Sequence, residues 1–452
     1  MNIIIAGDGK VGGTLTRLLC AEGHNITLID TNARALEKNQ EQYDVMSVHG
    51  NCAAMDTLLQ AGVKNADLLI ATASADELNL LCCTTAHGLN PALHTIARIR
   101  NPEYANQIYT MRDVYGLSML INPERQAANE IERLLKYPGF LRRDLFAKGR
   151  AEIVELRIDA KSKLCGVKLM DMPGLINCRV LICAVLRDGQ ALVPNGTFTF
   201  REGDRVFVTA PTKDLTTLLK NLGIITRRVR KCLLCGGGRV CIYLAKALEK
   251  SGISVTVVEK NYERCQELCE ALPRSTVIHG NAGDTALLES EGLANFDAVV
   301  TLTGEEELNM IISLYANSVG VPQVITKLGH VTNRGILDML KLGSVVCPKD
   351  LVSNNIVRYV RAMQNQTGAA TSVHSIADDQ VEALEFQVEE NTRGRGMALK
   401  QLKLKDNVLI AGIIHGSATE IPNGDSTFDT GDSLVIVTTA RGSIRQLDDI
   451  FA

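Results

Sequence analysis

The chain has 452 residues, 46% of them hydrophobic and 22% charged, with a formal net charge of −3. Such a chain is expected to form several domains with substantial cores; disorder and a general electrostatic pull toward nucleic acid are excluded. No apolar run reaches the roughly 18 residues needed to span a bilayer, and no charged leader pattern precedes the first strand, so any membrane association is expected to run through a partner.

The first predicted element is a strand, Ile3-Ile-Ile-Ala6, which runs into Gly7-Asp8-Gly9-Lys10-Val11-Gly12 and a helix over Thr14–Glu22. Gly7 permits a tight turn, Gly9 lets the backbone approach a pyrophosphate, and Gly12 lets the helix pack closely on the strand. The helix N-terminus then offers unpaired N–H groups and a positive dipole end to the anion. The second strand, Asn25-Ile-Thr-Leu-Ile-Asp30, ends on a carboxylate 23 residues past Gly7, close to the roughly 20 of a dinucleotide fingerprint. Asp30, followed by Thr31, is expected to accept from the adenosine ribose hydroxyls. A carboxylate there disfavours a 2′-phosphate, so NAD(H) is expected over NADP(H).

Ligands in doubly wound sheets lie outside the carboxyl ends of the strands. The loop after strand 3, Gly50-Asn51-Cys52, is therefore expected beside the adenine, and the loop after strand 4, Thr72-Ala73-Ser74, beside the ribose and phosphates. His49 reads as a loop-structuring residue. Arg98, ending the strand Thr95-Ile-Ala-Arg98, can meet a nucleotide phosphate or pair with a carboxylate. Next comes a basic stretch, Arg142-Arg143 to Lys148 and Arg150, and then short alternating strands with turns at Val193-Pro-Asn-Gly196 and Glu202-Gly-Asp-Arg205. These describe a β-rich module of about 70 residues.

A second basic stretch, Arg227-Arg228-Val-Arg230-Lys231, precedes a repeat of everything before it. Cys232-Leu-Leu-Cys235 replaces the first strand and Gly236-Gly-Gly238-Arg239-Val240 the glycine turn. Glu259 lies 23 residues past Gly236, Ile278-His-Gly-Asn281 matches Val48-His-Gly-Asn51, and Lys327 matches Arg98. Ile421-Pro-Asn-Gly424 and Thr430-Gly-Asp-Ser433 repeat the small module. Cys241 stands where Gly12 stood, putting a side chain where helix and strand should touch, which is expected to displace this turn and weaken the second site. The fold class is α/β: two Rossmann-like doubly wound parallel-sheet domains (1–137 and 231–362), each followed by a small β-rich α+β domain (151–225 and 376–452). Thirteen cysteines include a C-x-x-C at Cys232 and Cys235. Positions i and i+3 of a strand face opposite ways, so no metal site is expected, and buried reduced thiols are.

This order and these motifs resemble the TrkA family, the peripheral NAD-binding subunits of Trk-type bacterial potassium uptake systems, built from tandem regulator-of-K-conductance domains. The resemblance covers nearly the whole chain. It implies a cytosolic homo-oligomeric ring, dimer or tetramer, docked on the inner face of the cell membrane through an integral-membrane potassium uptake subunit of the Trk type. It implies gating by nucleotide, with NAD(H) as the expected ligand and ATP and ADP as further candidates, and no enzymatic activity. The rival from another class is an NAD-dependent oxidoreductase, which needs a general base and a carbonyl-polarising group; the two repeated small modules share no His, Lys or Cys to supply them. The apolar runs Asn79-Leu-Leu-Cys-Cys83 and Asn309-Met-Ile-Ile312 are expected to leave surface for assembly.

Overall fold

The computed structural model describes residues 1–136, 140–160, 162–176, 178–222, 228–329, 340, 342–363, 370–378, 380–440 and 442–452. Arg227 and the expected domain ends at 137 and 225 lie outside the described residues.

The first unit runs β1 (Asn2–Ala6), α1 (Lys10–Ala21), β2 (Asn25–Asp30), α2 (Ala33–Gln42), β3 (Met46–His49), α3 (Met55–Gln60), β4 (Leu68–Ala71), α4 (Asp76–Leu89), β5 (His94–Arg98), α5 (Pro102–Thr110), β6 (Met119–Ile121) and α6 (Pro123–Lys136). Its sheet has the order β3-β2-β1-β4-β5-β6, parallel throughout, with Ile3 opposite Ile26 on one side and Leu68 on the other. Parallel strands covered by helices on both faces become continuous apolar runs; Ile3, Ile4, Ile5 and Ala6 are all at 1% exposure or less.

The first small domain follows with β7 (Arg142–Phe146), β8 (Ala151–Arg157), β9 (Leu181–Arg187), β10 (Gln190–Leu192), β11 (Arg205–Ala210) and α7 (Thr212–Asn221). The second Rossmann unit is β12 (Lys231–Cys235), α8 (Arg239–Lys250), β13 (Ser254–Glu259), α9 (Tyr262–Ala271), β14 (Thr276–His279), α10 (Thr285–Ser290), β15 (Ala298–Thr301), α11 (Glu306–Ser318), β16 (Gln323–Lys327), β17 (Ser344–Val346) and α12 (Pro348–Met363). The last small domain has β18 (Ser372–Ile376), β19 (Val381–Gln387), β20 (Val408–His415), β21 (Ala418–Glu420) and β22 (Ser433–Thr438). The second parallel sheet repeats the first, β14-β13-β12-β15-β16-β17, and each small domain is a five-stranded antiparallel sheet.

The Gly-Asp signatures have a direct structural cause. Asp204 folds its own turn by accepting from the Arg201 amide (2.8 Å) and is clamped by both Nε and Nη2 of Arg187 (2.7 Å each). Asp432 does the same with the Asp429 amide, and His415 Nδ1 takes the place of the arginine (2.8 Å).

The halves exchange helices. The apolar stripe of α6 (Ala127, Ala128, Ile131, Leu134, Leu135) is buried in the core of the second Rossmann unit, against α8. Reciprocally, Val352, Ile356, Val357 and Val360 of α12 enter the core of the first unit, against α1. Polar contacts lock both crossings: Gln323 Nε2 donates to the Leu134 carbonyl (2.8 Å), and His94 Nδ1 meets the Tyr359 hydroxyl (2.9 Å). The small domains likewise share one core, Phe146, Ile153 and Phe207 packing with Ile376, Val381 and Val435. Each half thus supplies a part the other needs.

All thirteen cysteines are free thiols. Cys232 faces one layer of the second unit's core and Cys235 the other, and burial pushes the Cys235 thiol up to about 12. Among the described residues no cluster of His, Cys, Asp or Glu suits a metal ion, and no helix is long and apolar enough to cross a membrane.

Candidate nucleotide clefts

The Gly7 turn is held by its neighbours. Gly7 has φ +96°, and a Cβ there would lie 2.6 Å from the Ala73 amide nitrogen. Gly12 is excluded from bearing a side chain more severely, since its Cβ would fall 2.0 Å from the Gly7 carbonyl oxygen. Gly9 differs: a Cβ there would meet nothing within 4 Å, so the space above it is open to an approaching group. Gly9 is also the N-cap of α1 and supplies no capping side chain, whereas Asn32 and Asn261 cap α2 and α9 through their side chains. The orphan N–H groups of α1 therefore remain available for an anion.

Asp30 closes the other side. Its Oδ2 accepts from the Asp8 amide (2.6 Å) and its Oδ1 from the Asn32 amide (2.8 Å), which fixes the carboxylate at the strand end while each oxygen keeps a second lone pair for a ribose hydroxyl. The Asp8 side chain lies alongside, with Oδ2 accepting from Asn39 Nδ2 (2.5 Å). Burial pushes the Asp8 carboxyl up, opposed by that hydrogen bond and reinforced by the nearby Asp30 charge. Two carboxylates beside one turn make an anionic pocket, unsuited to a 2′-phosphate.

Most other predicted residues shape the cleft through backbone contacts. Thr72 is buried and its hydroxyl donates to the Gly7 carbonyl (2.9 Å), latching β4 to the turn. The Ala73 carbonyl accepts from Arg98 Nη2 (2.6 Å), and Asn51 folds its own loop by accepting from the Ala53 amide (3.0 Å). Cys52 is buried and its thiol is pushed down by a hydrogen bond with Cys82, so its side chain belongs to the core. Val11 belongs to the core. His49 Nε2 hydrogen-bonds the Thr31 carbonyl (3.0 Å) and His279 Nε2 the Lys260 carbonyl (3.1 Å), the same loop-tying bond in both halves.

The second cleft repeats this geometry with different side chains. Glu259 accepts from the Gly237 and Asn261 amides (2.7 and 2.8 Å), as Asp30 does. Gly236 has φ +109°, and the N-cap Gly238 (φ −70°, ψ −174°) nearly reproduces Gly9 (φ −78°, ψ −165°). Cys241 is fully buried within the core, so its side chain is accommodated without moving the start of α8, which begins at Arg239 as α1 begins at Lys10. Asn281 folds its loop through the Gly283 amide (2.9 Å), and Val240 is buried like Val11. Lys327 Nζ donates to the Leu302 and Thr303 carbonyls (3.0 and 2.8 Å), the role Arg98 has in the first half. Beside this turn, Arg264 Nε donates to the Gly237 carbonyl (2.8 Å), so a cation borders a turn in which Gly237 stands at the position of Asp8.

Residues outside the sequence-level set complete both clefts. Asn79 Nδ2 donates to the carbonyls of Ala73 (3.2 Å) and Arg98 (2.9 Å), and Asn309 Nδ2 does the same with Thr303 (3.3 Å) and Lys327 (3.1 Å). Their signal was the repeated Glu-Leu-Asn. Asp76 accepts from the Arg100 and Asn101 amides (2.9 and 2.8 Å). The clefts also feel each other. Burial pushes the Arg98 guanidinium down, with repulsion from Arg100 and, across the molecule, Arg239. Burial does the same to Lys327, with repulsion from Lys10 of the first half. Glu124, at the start of α6, opposes both shifts.

The fold and its clefts define a class: a pseudo-symmetric double Rossmann protein with a paired antiparallel domain and one cleft in each Rossmann unit. Residues 3–123 and 232–348 match the TrkA-N domain and residues 153–223 and 383–452 the TrkA-C domain, so the chain belongs to the TrkA family. It is 31% identical over 452 residues to the Trk system potassium uptake protein TrkA homolog of Archaeoglobus fulgidus, covering all of both chains. It is 30% identical over 462 residues to the Trk system potassium uptake protein TrkA of Halomonas elongata, covering all of this chain and 98% of that one. Among solved structures it resembles the GsuK channel bound to NAD, with a TM-score of 0.61, 16% identity and coverage of 97% of this chain and 77% of that one, a likeness of fold. The family is one of regulatory potassium uptake proteins, not of enzymes.

Proposed function

We propose that the chain is a nucleotide-sensing subunit that docks from the cytoplasmic side on a Trk-type integral-membrane potassium uptake subunit and alters its gating. The observation that carries this reading is the first cleft: an uncapped α1, an open approach over Gly9 and a fixed Asp30 carboxylate together suit the pyrophosphate and adenosine ribose of NAD(H). Gly7, Gly9 and the N–H groups of Lys10, Val11 and Gly12 would hold the pyrophosphate, Asp30 the ribose, and Asn51, Cys52, Thr72 and Ala73 the walls. Arg98 and, from the opposite half, Arg239 supply positive charge toward the phosphate end. The bound nucleotide does no chemistry here; its binding energy biases one arrangement of the halves over another. The second cleft, with Arg264 at its turn, favours an adenine nucleotide of higher charge, ATP or ADP.

Assembly is part of the reading. Leu81 on α4 and Ile311 on α11 occupy equivalent positions and are 56% and 60% exposed, while their neighbours Cys82, Cys83 and Ile312 are buried. Paired apolar positions of this kind suit closure of a homo-oligomeric ring, dimer or tetramer. Calorimetry on the full chain tests the ligand: NADH should bind and NADPH should bind much more weakly. Light scattering should give an oligomer, and a Trk-type membrane subunit in detergent should be captured by it. Equal affinity for NADPH, or a strict monomer that fails to capture the membrane subunit, would sink the proposal.

A further inference from the structure

A groove of about 580 Å³ runs between α6 and α8, the helix pair that joins the halves. From α6 it is lined by Arg125, Glu132 and Lys136, and from α8 by Tyr243, Lys246 and Lys250, at the three-, four- and seven-residue spacings that put side chains on one helix face. Four cations thus meet one carboxylate. That carboxylate is already engaged: Glu132 Oε1 takes Lys136 Nζ at 2.8 Å and the Ser251 hydroxyl at 3.2 Å. Among the described residues, the side chains of Arg125, Lys246 and Lys250 have no carboxylate partner. Tyr243 forms a rigid wall, because its hydroxyl accepts from Asn122 Nδ2 (3.0 Å) and donates to the Arg100 carbonyl (3.3 Å).

The pseudo-symmetry supplies an internal control. The equivalent pair is α12 with α1, and aligning the two helices residue by residue puts Asp350 at the place of Arg125, Val357 at Glu132 and Arg361 at Lys136. On α1, Arg17 stands at Lys246, Ala21 at Lys250 and Glu22 at Ser251. There two cations face two carboxylates, and Glu22 Oε1 accepts from Arg361 Nε at 3.0 Å. One crossing is therefore neutral in sum, with Arg361 paired to Glu22, while the other concentrates unpaired positive charge in a nucleotide-sized groove. Packing does not require the difference, because both crossings bury comparable apolar stripes. Like charges held together without a counter-charge favour a bound polyanion.

We propose that the α6–α8 groove is an anion site distinct from both Rossmann clefts, taking a multiply charged phosphate-bearing group, and that filling it clamps the first unit's crossing helix onto the second unit. The site lies along the later turns of α8, whereas the second glycine turn abuts its first turn. The site does not depend on which nucleotide the Rossmann clefts take.

The test uses the full chain with NADH saturating, so that the first cleft is filled, and tripolyphosphate titrated by calorimetry at fixed ionic strength. Saturable binding is expected. The double variant K246E/K250E should weaken it about tenfold or more, as reversal of two exposed charges should. R17E, at the neutral crossing, should leave it unchanged, and unchanged NADH affinity reports that each variant is folded. A parallel arm floats the protein with vesicles of phosphatidylcholine alone or of phosphatidylcholine with cardiolipin, whose headgroup carries two phosphates. Capture only by the cardiolipin vesicles, lost in K246E/K250E, assigns the phosphate to a lipid headgroup; tripolyphosphate binding without capture assigns it to a soluble anion. If neither ligand binds, or the double variant and R17E behave alike, the proposal is overturned.

Discussion

Exchange of helices between the halves makes an unusual demand: a cavity cut in the second half should loosen the first. Ile356 of α12 is fully buried among Val11, Leu15 and Leu19 of α1 and the strands of the first sheet. Ile356→Ala removes buried methylene and methyl groups and leaves a cavity, which costs about 2–5 kcal/mol at such sites. Local opening at the lower bound would then be about 30-fold more frequent, since 1.4 kcal/mol is about a factor of ten. Hydrogen exchange read by mass spectrometry should place the lost protection in Asn2–Ala6 and Lys10–Ala21, more than 300 residues upstream. The mirror variant, Ile131→Ala in α6, should instead expose Lys231–Cys235 and Arg239–Lys250. NADH affinity should fall more in Ile356→Ala, because α1 carries the first glycine turn. If each variant loosens only the Rossmann unit in which it lies along the chain, the exchange of helices is wrong.

Three further outcomes are expected. Asp30→Ala should weaken NADH binding by about 1.5–3 kcal/mol, the range for a hydrogen bond to a charged group, and should narrow the preference for NADH over NADPH; titration of both cofactors checks it. Gly9→Val should leave the melting temperature nearly unchanged, because a Cβ there meets no protein atom within 4 Å, yet abolish most NADH binding, while Gly238→Val costs less NADH binding because the second cleft favours a more highly charged nucleotide; calorimetry with paired melting curves distinguishes these. Glu22 has its carboxyl held below the ordinary 4.5: burial alone would raise it, but His24, with Nε2 3.8 Å away, and the hydrogen-bonded Arg361 guanidinium outweigh that. A lowered folded value means the stabilisation is complete above about pH 4.5 and is lost as pH falls through the folded value. Acid melts of Glu22→Gln should therefore lose part of the wild-type dependence below that pH and match it little at neutral pH, where the variant is the less stable.

How much of this was legible in the sequence depends on the range of the interaction. The glycine turn, Asp30 and the repeated Gly-Asn and Gly-Asp turns are local devices, in which residue type and backbone conformation are bound together within a few positions. Cys241 shows where local reasoning overshoots. Gly12 cannot carry a Cβ in its own setting, yet the second turn keeps its N-cap dihedrals with Cys241 buried behind it. Thr72, which ties the first turn to β4, is replaced by Leu302, so the second turn lacks that latch. The helix exchange was not legible at all. The stripe Ala127, Ala128, Ile131, Leu134, Leu135 says that α6 must bury a face, but a helical period is silent about which sheet receives it.

That unreadable exchange is what joins the two clefts. Lys10 and Arg239 are the first residues of the helices that follow the two glycine turns, and each reaches the field of the opposite strand-end cation, Lys327 or Arg98. An anion bound in one cleft therefore acts on a helix start of its own half and on a cation that faces the other half. The helices concerned, α1 and α8, carry the crossing helices α12 and α6, which also pack on each other. Arg358 of α12 lies 3.3 Å from His374 on β18, and His374 Nδ1 meets Asp144 on β7 at 2.9 Å. A change at either turn thus has packed or hydrogen-bonded contacts to follow into both small domains. Such a route can transmit only the difference in nucleotide affinity between two arrangements, typically about 1–3 kcal/mol. Under the proposed function, the protein would respond to which nucleotide fills the clefts, because ligands of equal preference for both arrangements shift nothing however tightly they bind.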